Sequence, residues 1–412
     1  MSEEMRLKVM VTAFACSPEQ GSEPGIGWGW VVSLSKVCEL TVITPSCNRD
    51  GIENAIRLGN DLRAEFIYLD VLPAVSRLNQ KAKSKLGVMV RLLLWQWRLG
   101  KKIRNIVRDR KFDILHHLTL GSFRFPFSVT GHEVVSVVGP VGGGEEFPEQ
   151  LLPELPGRIK RREVVRNWLN RLHTRHGLGM GRYSKADLTL SCTNEMRAAF
   201  ARHGVDSLVF PNIGMPNLAE HVDLKQRERG DGLRLLFVGN LLYWKGLELA
   251  LLALAQLPDN VSLTIIGSGS DRAELESDIA RMGLGERVDL LGAVPRERLL
   301  NQYREYDLFL YPSVHDSGAM SVIEAMRAGL PVVCLDAGGP GISVTEQCGR
   351  VVPIAPKMDV IKGLQEGVEF YLEDSDMIVK HGEAAIQRVN EKYFWDKNAH
   401  RMIGLYQSLI NG

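Results

Sequence analysis

Short runs rich in Val, Ile, Leu and Phe recur along the chain, and longer stretches with helical spacing separate them. In the first half these runs are Leu7 to Phe14, Leu40 to Thr44, Phe66 to Leu69, Ile114 to Leu118, Val134 to Val138 and Leu188 to Cys192. A second set starts at Leu233 and continues through Leu263 to Gly267, Val288 to Leu291, Leu308 to Tyr311, Val332 to Leu335 and Arg350 to Pro353. Near-continuous apolar runs, rather than alternating ones, belong to strands buried on both faces, and helical spacers between them predict parallel sheets built from βαβ units. The stretch Pro211 to Gly232, rich in proline, glycine and charge, reads as a linker between two such units. Tyr393 to Ile410 reads as a closing amphipathic helix that offers Trp395, Met402, Leu405 and Tyr406 for burial.

The predicted organisation is therefore a Rossmann-like unit over 1–210, a linker over 211–232, a second Rossmann-like unit over 233–392 and a terminal helix over 393–412. The 412 residues agree with this, because one domain usually takes about 100 to 200 residues. With 50 basic and 49 acidic residues the net charge is +1, so no global field argues for a nucleic-acid partner. Six scattered cysteines without paired spacing favour reduced thiols over a disulfide frame or zinc site, and so a cytoplasmic protein. The opening MSEEMRLKVMV passes from charge directly into a strand, without a signal-peptide pattern. The nearest approach to a membrane span, Val88 to Trp97, is short and interrupted by Arg91.

Local charge is less even. From Lys81 to Lys111 nearly every charge is positive, interleaved with Leu92, Leu93, Trp95 and Trp97. Arg158 to Arg175 repeats the theme with Arg161, Arg162, Arg166, Arg171, Trp168 and Leu169. Two readings stand for these basic helices: peripheral contact with anionic lipid on the cytoplasmic face, or solvated helices whose apolar stripe is packed.

Candidate chemistry concentrates in FLYPSVHDSGAMSVIEAMRAGLPVV, Phe309 to Val333. A strand ends at Pro312, a polar turn follows, and a helix runs to Gly329 and Pro331. Asp316 and Ser317 stand where a helix cap belongs, which would aim the free amides of Gly318, Ala319 and Met320 outward. Bare amides and the positive end of a helix dipole make an anion site suited to phosphate. Glu324, eight positions beyond Asp316, would border the same ligand.

Other strand ends add to this. CSPEQGSEPGIGWGW, Cys16 to Trp30, reads as a glycine-rich loop without dinucleotide-fingerprint spacing. FVGNLLYWKG, Phe237 to Gly246, places Lys245 near a turn, where a point charge can meet a diphosphate. IIGSGS, LGAVP and DAGGPG end further strands. FDILHHLTL sets His116 and His117 at a strand's end, on opposite faces by strand alternation. VVGPVGGGEEFP, Val137 to Pro148, reads as a flexible loop at the same edge.

Taken together, these segments resemble the retaining glycosyltransferases of family 4, group 1. The resemblance implies an α/β protein of the GT-B fold: two Rossmann-like domains facing across a cleft, with a C-terminal helix crossing back to the first. It implies transfer of a sugar from a nucleotide diphosphate sugar to a hydroxyl of a glycan, lipid-linked sugar or small molecule, with no cofactor and no metal. The donor would meet Gly21, Ser22, Gly239, Asn240, Lys245, Gly267, Val294, Asp316, Ser317, Gly318, Ala319, Met320 and Glu324. Asp316 would contact sugar hydroxyls, Glu324 the ribose, and Lys245 the phosphates. Asn240 stands where the family carries a second phosphate-binding cation, an arginine, and Asp316 where it usually has Glu. His116 would lie at the reaction centre, with Glu23, His117, Gly142 and Gly143 toward the acceptor. Rival readings are a nucleotide-sugar epimerase of similar fold and a non-catalytic nucleotide-sugar-binding or membrane-scaffold protein.

Overall fold

The computed structural model describes residues 6–59, 62–70, 85–177, 179–217 and 232–412. Most of the expected linker, residues 218–231, lies outside the described residues, as do Lys81 and Lys83 of the first basic run.

The chain divides into two compact units. The first comprises Met1–Gly144, Arg171–Asn217 and Phe394–Gly412, and the second Glu145–Asn170 and Leu218–Tyr393. The segment Glu145–Asn170, placed in the first domain on sequence grounds, thus belongs with the second unit. Glu163 of its helix Gly157–Thr174 accepts from the Tyr243 hydroxyl of the other segment, a contact that local sequence does not reveal, while Phe147 and Asn167 hydrogen-bond within the segment itself.

The first unit holds β1 Lys8–Ala13, β2 Glu39–Thr44, β3 Ala64–Tyr68, β4 Ile114–Thr119, β5 Val135–Val141, β6 Leu188–Ser191 and β7 Ser207–Val209. They form one parallel sheet in the order β3-β2-β1-β4-β5-β6-β7. Alternation within β1 shows why both faces need cover: Val9, Val11 and Ala13 enter one core with Trp30 and Leu34, while Met10 enters another with Trp95 and Phe200. The helix Trp395–Asn411 completes the first of these cores with Trp395, Ala399, Met402 and Tyr406, all buried. Trp395 fits because a Cβ on Gly29 or Gly214 would come within 2.5 and 2.6 Å of its ring.

The second unit repeats the plan with β8 Leu233–Val238, β9 Val261–Ile266, β10 Val288–Gly292, β11 Leu308–Tyr311, β12 Val332–Leu335 and β13 Gly349–Val352, in the order β10-β9-β8-β11-β12-β13. Both sheets therefore start from a central strand, β1 or β8, and add strands outward to each side. In such sheets the carboxyl ends beside the central strand, where the winding changes direction, are where ligands bind.

Candidate active site

In the second unit the loops after β8 and β11 meet. Lys245 ends a short 3₁₀ turn, Tyr243–Lys245, and Gly246 follows in left-handed conformation with φ of 71°. A Cβ at Gly246 would lie 2.0 Å from the Pro312 carbonyl, so only glycine lets this turn press on the β11 loop. That closeness brings Lys245 Nζ to 2.6 Å from Asp316 Oδ2 and 2.6 Å from the Tyr311 hydroxyl. Tyr311 and Ser313 also donate to the Asp316 carboxylate, at 2.9 and 2.7 Å. The lysine and aspartate side chains keep 11 % and 20 % of their exposure, so a ligand can still reach the pair. Burial, reinforced by Asp316, holds the Tyr311 phenol well above its ordinary range, so it remains a donor.

Asp316 is therefore not the expected helix cap. The helix begins at Met320, and its cap residue is Ala319, which takes a left-handed φ of 60° with no capping side chain. The carboxylate has turned instead toward Lys245, where an ion pair and two hydroxyl donors satisfy it better than one amide. Ser317, Gly318, Ala319 and Met320 remain partly exposed at the helix head. Gly338 and Gly339 back this loop: a Cβ on Gly338 would stand 2.1 Å from the Asp316 carbonyl, and the Gly339 amide donates to that carbonyl at 2.7 Å. Glu324, on the same helix, is only 7 % exposed, and the Tyr303 hydroxyl donates to it at 3.3 Å.

Gly239 and Gly267 close on each other at the ends of β8 and β9, where a Cβ on Gly267 would meet the Gly239 carbonyl at 1.8 Å. Asn240 is exposed beside them and Val294, after β10, is partly exposed. A cavity of about 180 Å³ is walled by Leu155, Pro156, Ile159, Leu241, Tyr243 and Leu275, and by neither Lys245 nor Asp316. Asp374 and Asp376, the chain's one Asp-x-Asp, open the helix Asp376–Lys392, with the Asp374 carboxylate accepting from the Asp376 amide at 3.1 Å.

The first unit corrects several expectations. His116 is fully buried, its Nδ1 2.6 Å from the Tyr406 hydroxyl and its Nε2 2.7 Å from the Gly139 carbonyl. With both ring nitrogens engaged it cannot meet a reactant. Burial lowers its pKa to about 4. His117, on the opposite face as alternation requires, is 3 % exposed, with Nδ1 2.8 Å from Thr12 Oγ1 and its ring stacked on Phe127. Burial takes it to about 3, so it too is a core residue rather than an acceptor contact.

The expected glycine-rich loop is largely helix, Ser22–Val37, with Gly21 as its cap. Gly27 serves packing there, since a Cβ would meet the Ala15 carbonyl at 2.1 Å. Ser22 and Leu120 both hold positive φ, 57° and 54°, and Glu23 Oε1 accepts from the Leu120 amide at 3.0 Å. Burial raises the Glu23 carboxyl against that hydrogen bond. The stretch Val137 to Pro148 is not a flexible loop: its first part is β5, the Gly142 amide donates to the Gly121 carbonyl at 2.7 Å, and Arg124 holds the Gly143 carbonyl at 2.9 Å.

A polar cluster that sequence reading missed stands beside Lys245. Glu163 is fully buried, accepts from the Tyr243 hydroxyl and lies 3.1 Å from Arg166 Nη2, while the Arg162 guanidinium sits over the Tyr243 and Trp244 rings at 5.6 and 5.9 Å. His315, next to Asp316, is lowered to about 4 first by burial and then by Arg166.

Residues 221–388 match the family model described as Glycosyl transferases group 1. Among curated relatives, an uncharacterized glycosyltransferase of Methanocaldococcus jannaschii is 31% identical over 182 residues, 43% of this chain and 45% of that protein. The lipopolysaccharide core biosynthesis mannosyltransferase LpcC of Rhizobium leguminosarum bv. viciae is 29% identical over 181 residues, 42% of this chain and 50% of that protein. The chain thus spans about half the length of these relatives. Solved structures align over nearly the whole chain. Anabaena HepE in complex with UDP gives a TM-score of 0.58 at 17% identity, covering 98% of this chain and 100% of that one. Sucrose-phosphate synthase from Thermosynechococcus elongatus gives 0.64 at 16%, with the same coverage. With two parallel sheets wound alike, the fold is GT-B.

Proposed function

We propose that the protein is a glycosyltransferase that moves a sugar from a nucleotide diphosphate sugar to an acceptor hydroxyl, with retention at the anomeric carbon and without a metal. The observation that carries this is the Lys245–Asp316 pair, part-exposed at the strand ends beside the central strand of the unit that matches the family model. In this reading the donor diphosphate rests on Lys245 and on the amides of Gly318 to Met320, Asp316 accepts from sugar hydroxyls, and Glu324 holds the ribose. Fixed donors at a departing diphosphate stabilise the charge that develops there, as a metal ion otherwise would. The glycosidic carbon–oxygen bond breaks with its electron pair on the diphosphate, the acceptor oxygen bonds to the same face, and its proton passes to the departing diphosphate. Neither buried histidine takes part.

Thermal-shift screening against nucleotide sugars tests the donor site, since a ligand selective for the folded state raises the melting temperature with its affinity. One nucleotide diphosphate is expected to stabilise the wild type, and Lys245→Ala and Glu324→Ala to lose most of that gain. Equal shifts in all three proteins reject the pocket. Conversion of the donor with no acceptor present would point instead to an epimerase.

We also propose that the acceptor is presented at an anionic lipid surface. The helix Lys85–Asp109 leaves Met89, Val90, Leu93 and Trp97 exposed along one stripe, and Lys101 Nζ lies 3.5 Å from the Trp97 ring. Among the described residues no helix is long and apolar enough to cross a membrane, so contact would be peripheral. Flotation with phosphatidylglycerol vesicles, but not phosphatidylcholine vesicles, is the expected result, and Leu93→Ser with Trp97→Ser should abolish it.

A further inference from the structure

Lys245 and Asp316 together carry no net charge, yet the diphosphate assigned to them brings more than one negative charge. Asn240, exposed at the β8 turn, supplies none. A second cation is needed, and the segment Glu145–Asn170 carries one in an unusual state.

Arg166 keeps 26 % of its side-chain exposure, while its Nε and Nη2 atoms are buried without a hydrogen-bond partner among the described residues. Nη2 does lie 3.1 Å from Glu163 Oε2, so the two form an ion pair whose alignment falls outside hydrogen-bond geometry. A pair kept for stability alone would satisfy its donors, because orphaned buried donors are costly. Glu163 does not depend on this arginine, since its other oxygen accepts from the Tyr243 hydroxyl and lies 3.9 Å from Arg162 Nε. The arrangement is a guanidinium with Nε and Nη2 enclosed, which leaves Nη1 as the nitrogen outside the buried set. It also lies at the right place: Tyr243 shares the 3₁₀ turn of Lys245, and the charges of Arg166 and Glu163 are both felt at His315, beside Asp316.

We propose that Arg166 is a second diphosphate-binding cation of this site, with Glu163 as the positioning residue that holds it. This rests on the nucleotide-sugar reading above. Through Nη1 the guanidinium would give one phosphate oxygen a directed, charge-assisted donor, whereas Lys245 offers a point charge, so the two cations would divide the diphosphate between them.

Titration calorimetry of the wild type, Arg166→Ala and the charge-neutral pair variant Arg166→Ala/Glu163→Gln, each with UDP, UMP, GDP, GMP, ADP and AMP, tests this. For whichever base the wild type accepts, loss of Arg166 should weaken the diphosphate roughly tenfold to a hundredfold, as expected for a charged hydrogen bond, and the monophosphate distinctly less. The double variant removes the negative charge that Arg166→Ala would leave without its nearest cation, and should show the same selective loss. If wild type binds a nucleoside diphosphate and both variants bind it equally well, or lose mono- and diphosphate alike, the inference is overturned while the donor-site reading stands. If wild type binds none of the diphosphates, both fall together.

Discussion

β4 and β11 occupy equivalent places in the two sheets, each beside its central strand, and each brings polar side chains to its end. Their fates differ. In the first unit His116 and His117 lie inside the strand, between two cores, and the fold consumes them: Tyr406 and Gly139 take one, Thr12 the other. In the second unit Asp316 and Lys245 lie on loops just past the strands, bonded to each other and to hydroxyls yet still reachable. A polar group within a doubly covered strand must be satisfied by the protein itself, whereas one past the strand's end can exchange its partner for a ligand.

The sharpest way to break the comparison is Lys245→Ala. It should lower kcat/KM by roughly a hundredfold or more, as removing one preorganised donor to a leaving group does, with little change in melting temperature. A comparable loss of activity from a histidine variant that stays fully folded would invert the two regions' roles. Next comes Gly338→Ala, whose new Cβ would strike the Asp316 carbonyl and push that loop off Lys245. It should cost about 1–3 kcal/mol of stability and, because the site itself is displaced, more activity than stability, measured by melting and by initial rate. Tyr406→Phe, which leaves buried His116 Nδ1 unpaired, should do the reverse, costing about 1–3 kcal/mol in denaturant melts while nucleotide affinity is unchanged.

A further effect concerns acid. Both histidines fold neutral, at about 4 and about 3, from an ordinary 6.5, so the unfolded chain takes up protons below 6.5 that the folded one refuses. Their contribution is present above 6.5 and is lost as pH falls, through about 4 for His116 and about 3 for His117. A melting temperature falling over that window, less steeply in His116→Phe once its own lower baseline is subtracted, checks it.

How much of this was legible beforehand depends on how local each cause is. β11 and β12 carry the bounds their apolar runs announce, because buried parallel strands write a continuous signal. β7, Ser207–Val209, is too short to write one. The lysine, the aspartate and the glycines around them were readable as a set, but the ion pair was not, since capping is the local default for an aspartate before a helix. His116 could not be placed without Tyr406, which lies 290 residues further on. Glu163 sits in a run of arginines that looks solvated, and only Tyr243, from a different strand's end, shows it to be enclosed.

The helix Trp395–Asn411 has a consequence for how the chain acquires its shape. It carries Trp395, Met402 and Tyr406 into the core begun by Val9 and Trp30, so the amino-terminal sheet stays open on one side until the carboxyl-terminal helix has been made. During synthesis the unit translated later is then the first able to close, and the earlier one waits with an uncovered apolar face.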